Sequence, residues 1–186
     1  ELGLVGSEMC IRDSPMPAWG PSVVRGAEEP TFLQRAIDPP SGYGGLCVRW
    51  LLQKDTHNQW VFRTPVARTS KNAIANVHRG AEALPAADVI PSNALKKAKS
   101  IAHQCALRLE KACAGPVIEL GVDLVFDADF SPWVLEVNSR PSGRLAALAS
   151  RAPNTYDEEA LSAAIQPLQT LASLSLIHIS EPTRPS

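Results

Sequence analysis

Residues 118–138 constrain this chain more than any other stretch. Two alternating runs, 118–127 and 133–138, flank the turn-forming segment Ala128-Asp129-Phe130-Ser131-Pro132, which is short enough to demand an antiparallel hairpin. With a loop of 128–131, Asp127 faces Pro132, and the pairing then sets Asp123 directly across from Glu136. Side chains alternate along a strand, so Asn138 shares the face of Glu136 while Leu135 and Val137 point into a core. Like charges opposed across strands destabilise a sheet by up to ~1 kcal/mol, and a cation held between them removes that penalty. Oxygen donors without imidazole or thiolate select a hard ion. Mg2+ suits them best, because it commonly takes one or two carboxylates and completes its shell with phosphates. On spacing alone, the solvated face of an ordinary half-buried hairpin satisfies the pattern equally well.

The rest of the chain supplies partners for this hairpin. Short strands are expected over 31–37, 46–53 and 60–68, with Pro65 suiting an edge or a bulge in the third. The run 46–53 is apolar enough to be buried on both faces. A polar segment, 69–83, follows. A helix is expected over 93–114, capped by Ser92 and stopped by Gly115-Pro116, with Leu95, Ala98, Ile101, Ala102, Cys105, Leu109, Ala112 and Cys113 on one stripe. Two further helices are expected over 145–150 and 157–171, the second kinked at Pro167. The order βββ-α-ββ-α with hairpin-length connections predicts an α+β fold, a mostly antiparallel sheet backed by helices.

Composition narrows the function classes. A formal charge of −1 gives no electrostatic footprint for nucleic acid. No apolar run approaches the ~18 residues of a membrane span. Cys47, Cys105 and Cys113 have no metal-ligand spacing, and with Cys10 set aside their odd number argues against a disulfide framework, so a reducing cytoplasm is expected.

Cys10 is set aside because of the ends. Residues 174–184 and 4–14 can be back-translated into DNA strings that are reverse complements of each other, a relation unrelated protein termini have no reason to satisfy. The strings resemble the adaptor that transposase-based library preparation attaches to both ends of an insert. The expectation is therefore that 1–14 and 174–186 are adaptor-derived, 15–30 is loop or orphaned structure, and 31–173 is one partial domain.

Four ordered motifs give the hairpin a family context. Glu119-Leu120-Gly121-Val122-Asp123-Leu124, followed by Trp133-Val134-Leu135-Glu136-Val137-Asn138-Ser139-Arg140-Pro141, resembles the carboxyl-terminal signature of ATP-grasp enzymes. Phe32-Leu33-Gln34-Arg35-Ala36-Ile37 is similar to the hinge strand whose backbone meets the adenine edge. Val48-Arg49-Trp50-Leu51-Leu52-Gln53-Lys54 is similar to the strand written Asp-Ile-Arg-Val-Leu-Val-Gln in such proteins. Arg68 with Asn76-Val77-His78-Arg79-Gly80 resembles a segment of the ribosomal-protein glutamate-ligase and YheC/YheD branches, and the Gln-Lys-Asp and Asn-Ser-Arg-Pro strings favour the latter, whose members are described as endospore coat-associated.

The resemblance implies the carboxyl-terminal lobe of an ATP-grasp fold. It implies ATP and Mg2+ as cofactors, with Asp123, Glu136 and Asn138 as metal ligands and Gln34, Arg35, Ala36, Arg49, Arg68 and Arg79 at the nucleotide. Arg68 and Asn76 are the candidates for catalytic work, since cations and amides aimed at a departing phosphoryl group stabilise its charge. His78, Arg79 and Arg140 fit loop-shaping or ion-pairing roles equally well. The intact parent is then expected to be a carboxylate–amine ligase acting through an acyl-phosphate, with a non-catalytic spore-coat assembly protein as the alternative. Its flexible Gly-rich loop and phosphate-binding Lys are expected upstream of this chain. Two departures stand out: Cys47 occupies the position usually held by Asp, and Ala81 replaces the second Gly after His-Arg-Gly.

Overall fold

The longest strand forms where the sequence is apolar on both sides: Gly45–Lys54 (β5) is buried at all ten positions. A computed structural model describes residues 2–5, 11–12, 22–23, 32–35, 37–71, 81–139, 141 and 145–179. Around β5 it builds an antiparallel six-stranded sheet from Trp60–Phe62 (β6), Val66–Ser70 (β7), Glu82–Pro85 (β8), Glu119–Phe126 (β9) and Pro132–Asn138 (β10). The order is β10-β9-β5-β7-β8, with β6 pairing the same edge of β5 as β7 does. Short strands Leu2–Val5 (β1), Ile11–Arg12 (β2), Ser22–Val23 (β3) and Phe32–Arg35 (β4) form a second antiparallel sheet, ordered β2-β1-β4-β3. All recorded pairings are antiparallel, and helices accompany them, so the α+β class expected from the element order is the observed one.

Several boundaries differ from the sequence reading. The single strand expected over 60–68 is two strands, β6 and β7, because Pro65 has no N–H to extend the ladder. The Pro65 carbonyl instead accepts from Ala86 N at 3.0 Å, turning the chain between strands. Within the segment expected to be merely polar, β8 pairs β7 from Val66↔Pro85 to Thr69↔Glu82. The long helix, Ser92–Ala112 (α1), includes Ser92 in its first turn, with Pro91 at the N-cap and no side-chain cap.

Alternation in β5 and β9 sorts their side chains onto two faces. Leu46, Val48, Trp50 and Leu52 join Leu120, Val122, Leu124 and Phe126 in the main core beneath α1. The seam of α1 is a row of alanines at i, i+4 spacing, Ala94, Ala98, Ala102 and Ala106, with the larger Leu95, Ile101, Cys105 and Leu109 at its flanks. On the opposite face, Leu51, Val66 and Ala83 meet Leu145–Ala149 (α2) and Pro153–Ile179 (α3) through Leu145, Leu148 and Ala163. Polar groups complete this second docking. Gln53, buried, donates to the Ala163 carbonyl at 2.7 Å and accepts from Arg63 Nε at 3.0 Å. Thr170 Oγ1 donates to the Lys54 carbonyl at 2.6 Å. α3 contains Pro167 and runs to Ile179, past residue 171 where the sequence reading ended it.

Candidate functional site

The hairpin of β9 and β10 places Asp123 opposite Glu136, as the sequence predicts, by a route the sequence does not show. At the turn, Pro132 pairs Phe126, one residue out of the expected register. Asp127 causes the offset. Its Oδ1 accepts from Asp129 N at 3.1 Å and Ser131 N at 2.8 Å, its Oδ2 accepts from Trp133 Nε1 at 2.9 Å, and Phe130 sits at a positive φ of 58°. A bulge at Leu135 then absorbs one residue and restores Glu136↔Asp123 and Asn138↔Gly121.

Pairing on the other side of β9 extends the row. Arg49 on β5 lies opposite Asp123, and Arg68 on β7 lies opposite Cys47, two residues from Arg49 on the same face. Arg68, Cys47, Arg49, Asp123 and Glu136 thus run across four adjacent strands on the face away from α1. Arg49 grips Asp123 through both ends of its fork: Nε donates to Oδ1 at 2.6 Å and Nη2 pairs Oδ2. Arg68 Nη2 lies 3.3 Å from the same Oδ2, and Arg49 Nη2 lies 3.6 Å from Glu136 Oε1. Asn138 Nδ2 donates to Glu136 Oε1 at 2.9 Å.

Burial makes these charges consequential. Arg49 and Arg68 are each 7% exposed and Asp123 is 1% exposed, whereas the Glu136 side chain is 51% exposed. Burial works to raise the pKa of Asp123, but the hydrogen bond from Arg49 and the charges of Arg68 and Arg49 outweigh it and hold the carboxyl below its ordinary value. Cys47 behaves oppositely. Burial pushes its thiol up to about 12 despite the nearby Arg68 charge, so at neutral pH it is a neutral acceptor, taking a hydrogen bond from Arg68 Nη2 at 2.8 Å. Arg68 Nε is buried and has no hydrogen-bond partner among the described residues.

Sequence reasoning missed two residues of this site. One is Cys47 as the thiol partner of Arg68, which the spacing of Cys47 and Arg49 on one strand face could have suggested. The other is the contact of Gly121 with Pro141. A Cβ built on Gly121 would lie 2.6 Å from Pro141 Cβ and 3.7 Å from Arg49 Cδ, so only glycine lets the chain after β10 fold back beside Arg49.

The remaining expected site residues stand differently. Gln34 and Arg35 belong to β4, whose backbone is paired along its length with β1, while pairing with β3 stops at Leu33. Ala36, Asn76, His78, Arg79 and Arg140 lie outside the described residues. Among the described residues no three His, Cys, Asp or Glu side chains gather as metal ligands, so a cation here would need the amide oxygen of Asn138 beside the two carboxylates. That all-oxygen donor set suits a hard divalent ion. No helix among the described residues is long and apolar enough to cross a membrane.

The chain also matches a known family. The family described as YheC/D-like ATP-grasp matches residues 26–165, well over half of the chain, and the match spans every residue of the charged row. The chain belongs to the YheC/D-like ATP-grasp family, a family of ATP-binding, ligase-like domains. A comparison with curated proteins gives no match.

Proposed function

We propose that the charged row is a Mg·ATP site, in which Asp123, Glu136 and the Asn138 amide oxygen hold Mg2+ and Arg49 and Arg68 meet the phosphates. The observation that carries this is the arrangement itself: two guanidiniums and two carboxylates on one face, with only Glu136 open to solvent. A fold seldom buries so much charge for stability alone, since well-packed apolar residues do as well or better. Bound there, Mg2+ supplies charge neutralisation for the phosphate oxygens. Arg68 presents a buried Nε that no described residue engages, a donor suited to a phosphate oxygen. Asn76 and Arg79 are assigned to the same cluster, and the backbone of 34–36 to the adenine edge, on family resemblance. In the intact parent the site would phosphorylate a carboxylate, and an amine would attack the resulting acyl-phosphate.

Calorimetric titration of ATP with excess Mg2+ tests the site. The expected result is weak binding that EDTA abolishes and Glu136→Ala removes. Binding indifferent to both treatments would overturn the assignment. Cys47 favours a second reading, in which the parent is an assembly protein that keeps the nucleotide site but ligates nothing, because a neutral thiol now faces Arg68. ADP release by the parent only in the presence of an acceptable carboxylate and amine would exclude that reading.

A further inference from the structure

We propose that Arg49 and a divalent cation compete for one position between Asp123 and Glu136, so that cation and nucleotide bind as an obligatory pair. This inference rests on the assignment of the charged row as a Mg·ATP site. Arg49 engages both oxygens of Asp123 and reaches Glu136 Oε1 at 3.6 Å. One guanidinium therefore bridges the two carboxylates that a metal would have to share. A divalent ion placed between them stands against a buried positive charge, and the two repel strongly where solvent screening is poor. The cation enters only if Arg49 leaves.

Arg49 can leave only toward another anion. It is 7% exposed, and an unpaired guanidinium at that depth loses its solvation without compensation. Among the described residues, the other charges facing it from neighbouring strands are Arg68, which already lies 3.3 Å from Asp123 Oδ2, and Glu136 itself. Neither offers a replacement partner once the metal has taken the carboxylates, whereas nucleotide phosphates do. The reverse constraint holds for nucleotide without metal. Phosphates that draw Arg49 away strip Asp123, 1% exposed, of its principal cation. Only simultaneous arrival leaves every buried charge paired. Metal and nucleotide thus enhance each other's affinity by the same factor.

The test uses the whole chain and two probes, Mn2+ followed by electron paramagnetic resonance and thermal unfolding. For the wild type, Mn2+ alone and ATP with EDTA should each leave the unfolding midpoint nearly unchanged, while together they raise it by more than the sum. Arg49→Gln removes the competing charge and should bind Mn2+ alone at least about tenfold more tightly, equivalent to about 1.4 kcal/mol. Arg49→Lys, which keeps the charge without the fork, should fall between and serves if the Gln variant does not fold. Wild-type affinity for Mn2+ that is the same with and without ATP, or unchanged Mn2+ affinity in a folded Arg49 variant, overturns the competition. If that happens while Mg·ATP still binds, the nucleotide site survives and only the coupling falls. If neither probe binds under any condition, both readings fall together.

Discussion

Beneath α1 the central sheet buries a wall of aliphatic and aromatic groups; on its other face, the same strands bury arginines, a carboxylate, a thiol and an amide. The two interiors differ by one residue of phase along β5 and β9: Val48 and Val122 point one way, Arg49 and Asp123 the other. What the contrast teaches is how each interior fails. An apolar wall loses stability in proportion to the volume removed. A charged interior is close to neutral while every partner is present and costly once one is missing.

The largest effects should come from breaking each face at its most buried point. Phe126→Ala removes the bulkiest fully buried side chain among the described residues and should cost about 3–5 kcal/mol. Asp123→Ala should cost a similar ~3–5 kcal/mol, for the different reason that it leaves Arg49 and Arg68 without their shared anion. Replacing Arg49 as well, Arg49→Met with Asp123→Leu, should recover the share of the Asp123→Ala loss that comes from Arg49 while Arg68 still lacks the anion, whereas no second substitution is expected to rescue Phe126→Ala. Urea unfolding of the set decides it. A double variant as unstable as the single one would show that the polar face is held by shape and not by charge pairing.

A smaller effect is expected where the two kinds of packing meet. Gly121 lies on β9 beside Asp123, and its missing Cβ is the space that Pro141 occupies. Gly121→Ala should cost about 1–3 kcal/mol through overpacking, since backbone or Pro141 must move. The displacement presses toward Arg49, 3.7 Å from the added carbon, so Mg·ATP binding should weaken along with stability. Loss of stability with binding untouched would separate the Gly121 contact from the site.

The parts of this arrangement that were legible in sequence are those set by alternation and short connections. Alternation and the short turn bring Asp123 and Glu136 onto one face of the hairpin, and the strand readings place Arg49 and Arg68 on β-strands. The bulge at Leu135 was not legible, because its cause is the side chain of Asp127 gathering three donors around the turn. Two errors of one residue cancelled there. Nor was β8 legible: Glu82-Ala83-Leu84-Pro85 has little strand propensity, and it becomes a strand by pairing with β7 and by Arg151 Nη1 donating to the Ala83 carbonyl at 2.7 Å. The stripe expected on α1 has the right period but is weighted toward its large residues. The contact with the sheet centres on four alanines that hydrophobicity alone ranks low.

The smallest effect belongs to α3, whose two sides reverse the usual order. On its sheet-facing side, small apolar contacts at Ala160 and Ala163 are joined by polar groups: Glu159 Oε1 accepts from Thr64 N at 2.7 Å, Gln166 Oε1 accepts from Arg63 Nη2 at 3.4 Å, and Thr170 and Ser173 reach the carbonyls of Lys54 and Thr56. Leu161, Ile165 and Leu168 fall on the opposite side at i, i+4 and i+7, and Leu168 is 68% exposed. Leu168→Gln exchanges residues of similar helix propensity at a position that loses little burial, so the expected change is within about 0.5 kcal/mol. The same substitution at Leu148, 2% exposed under the sheet, has no such tolerance because it would bury an amide among apolar groups. A Leu168→Gln loss above about 1.5 kcal/mol, approaching that of a buried Leu, would mean that the outer side of α3 is covered in solution, and the contrast between the faces would then extend to a third interior.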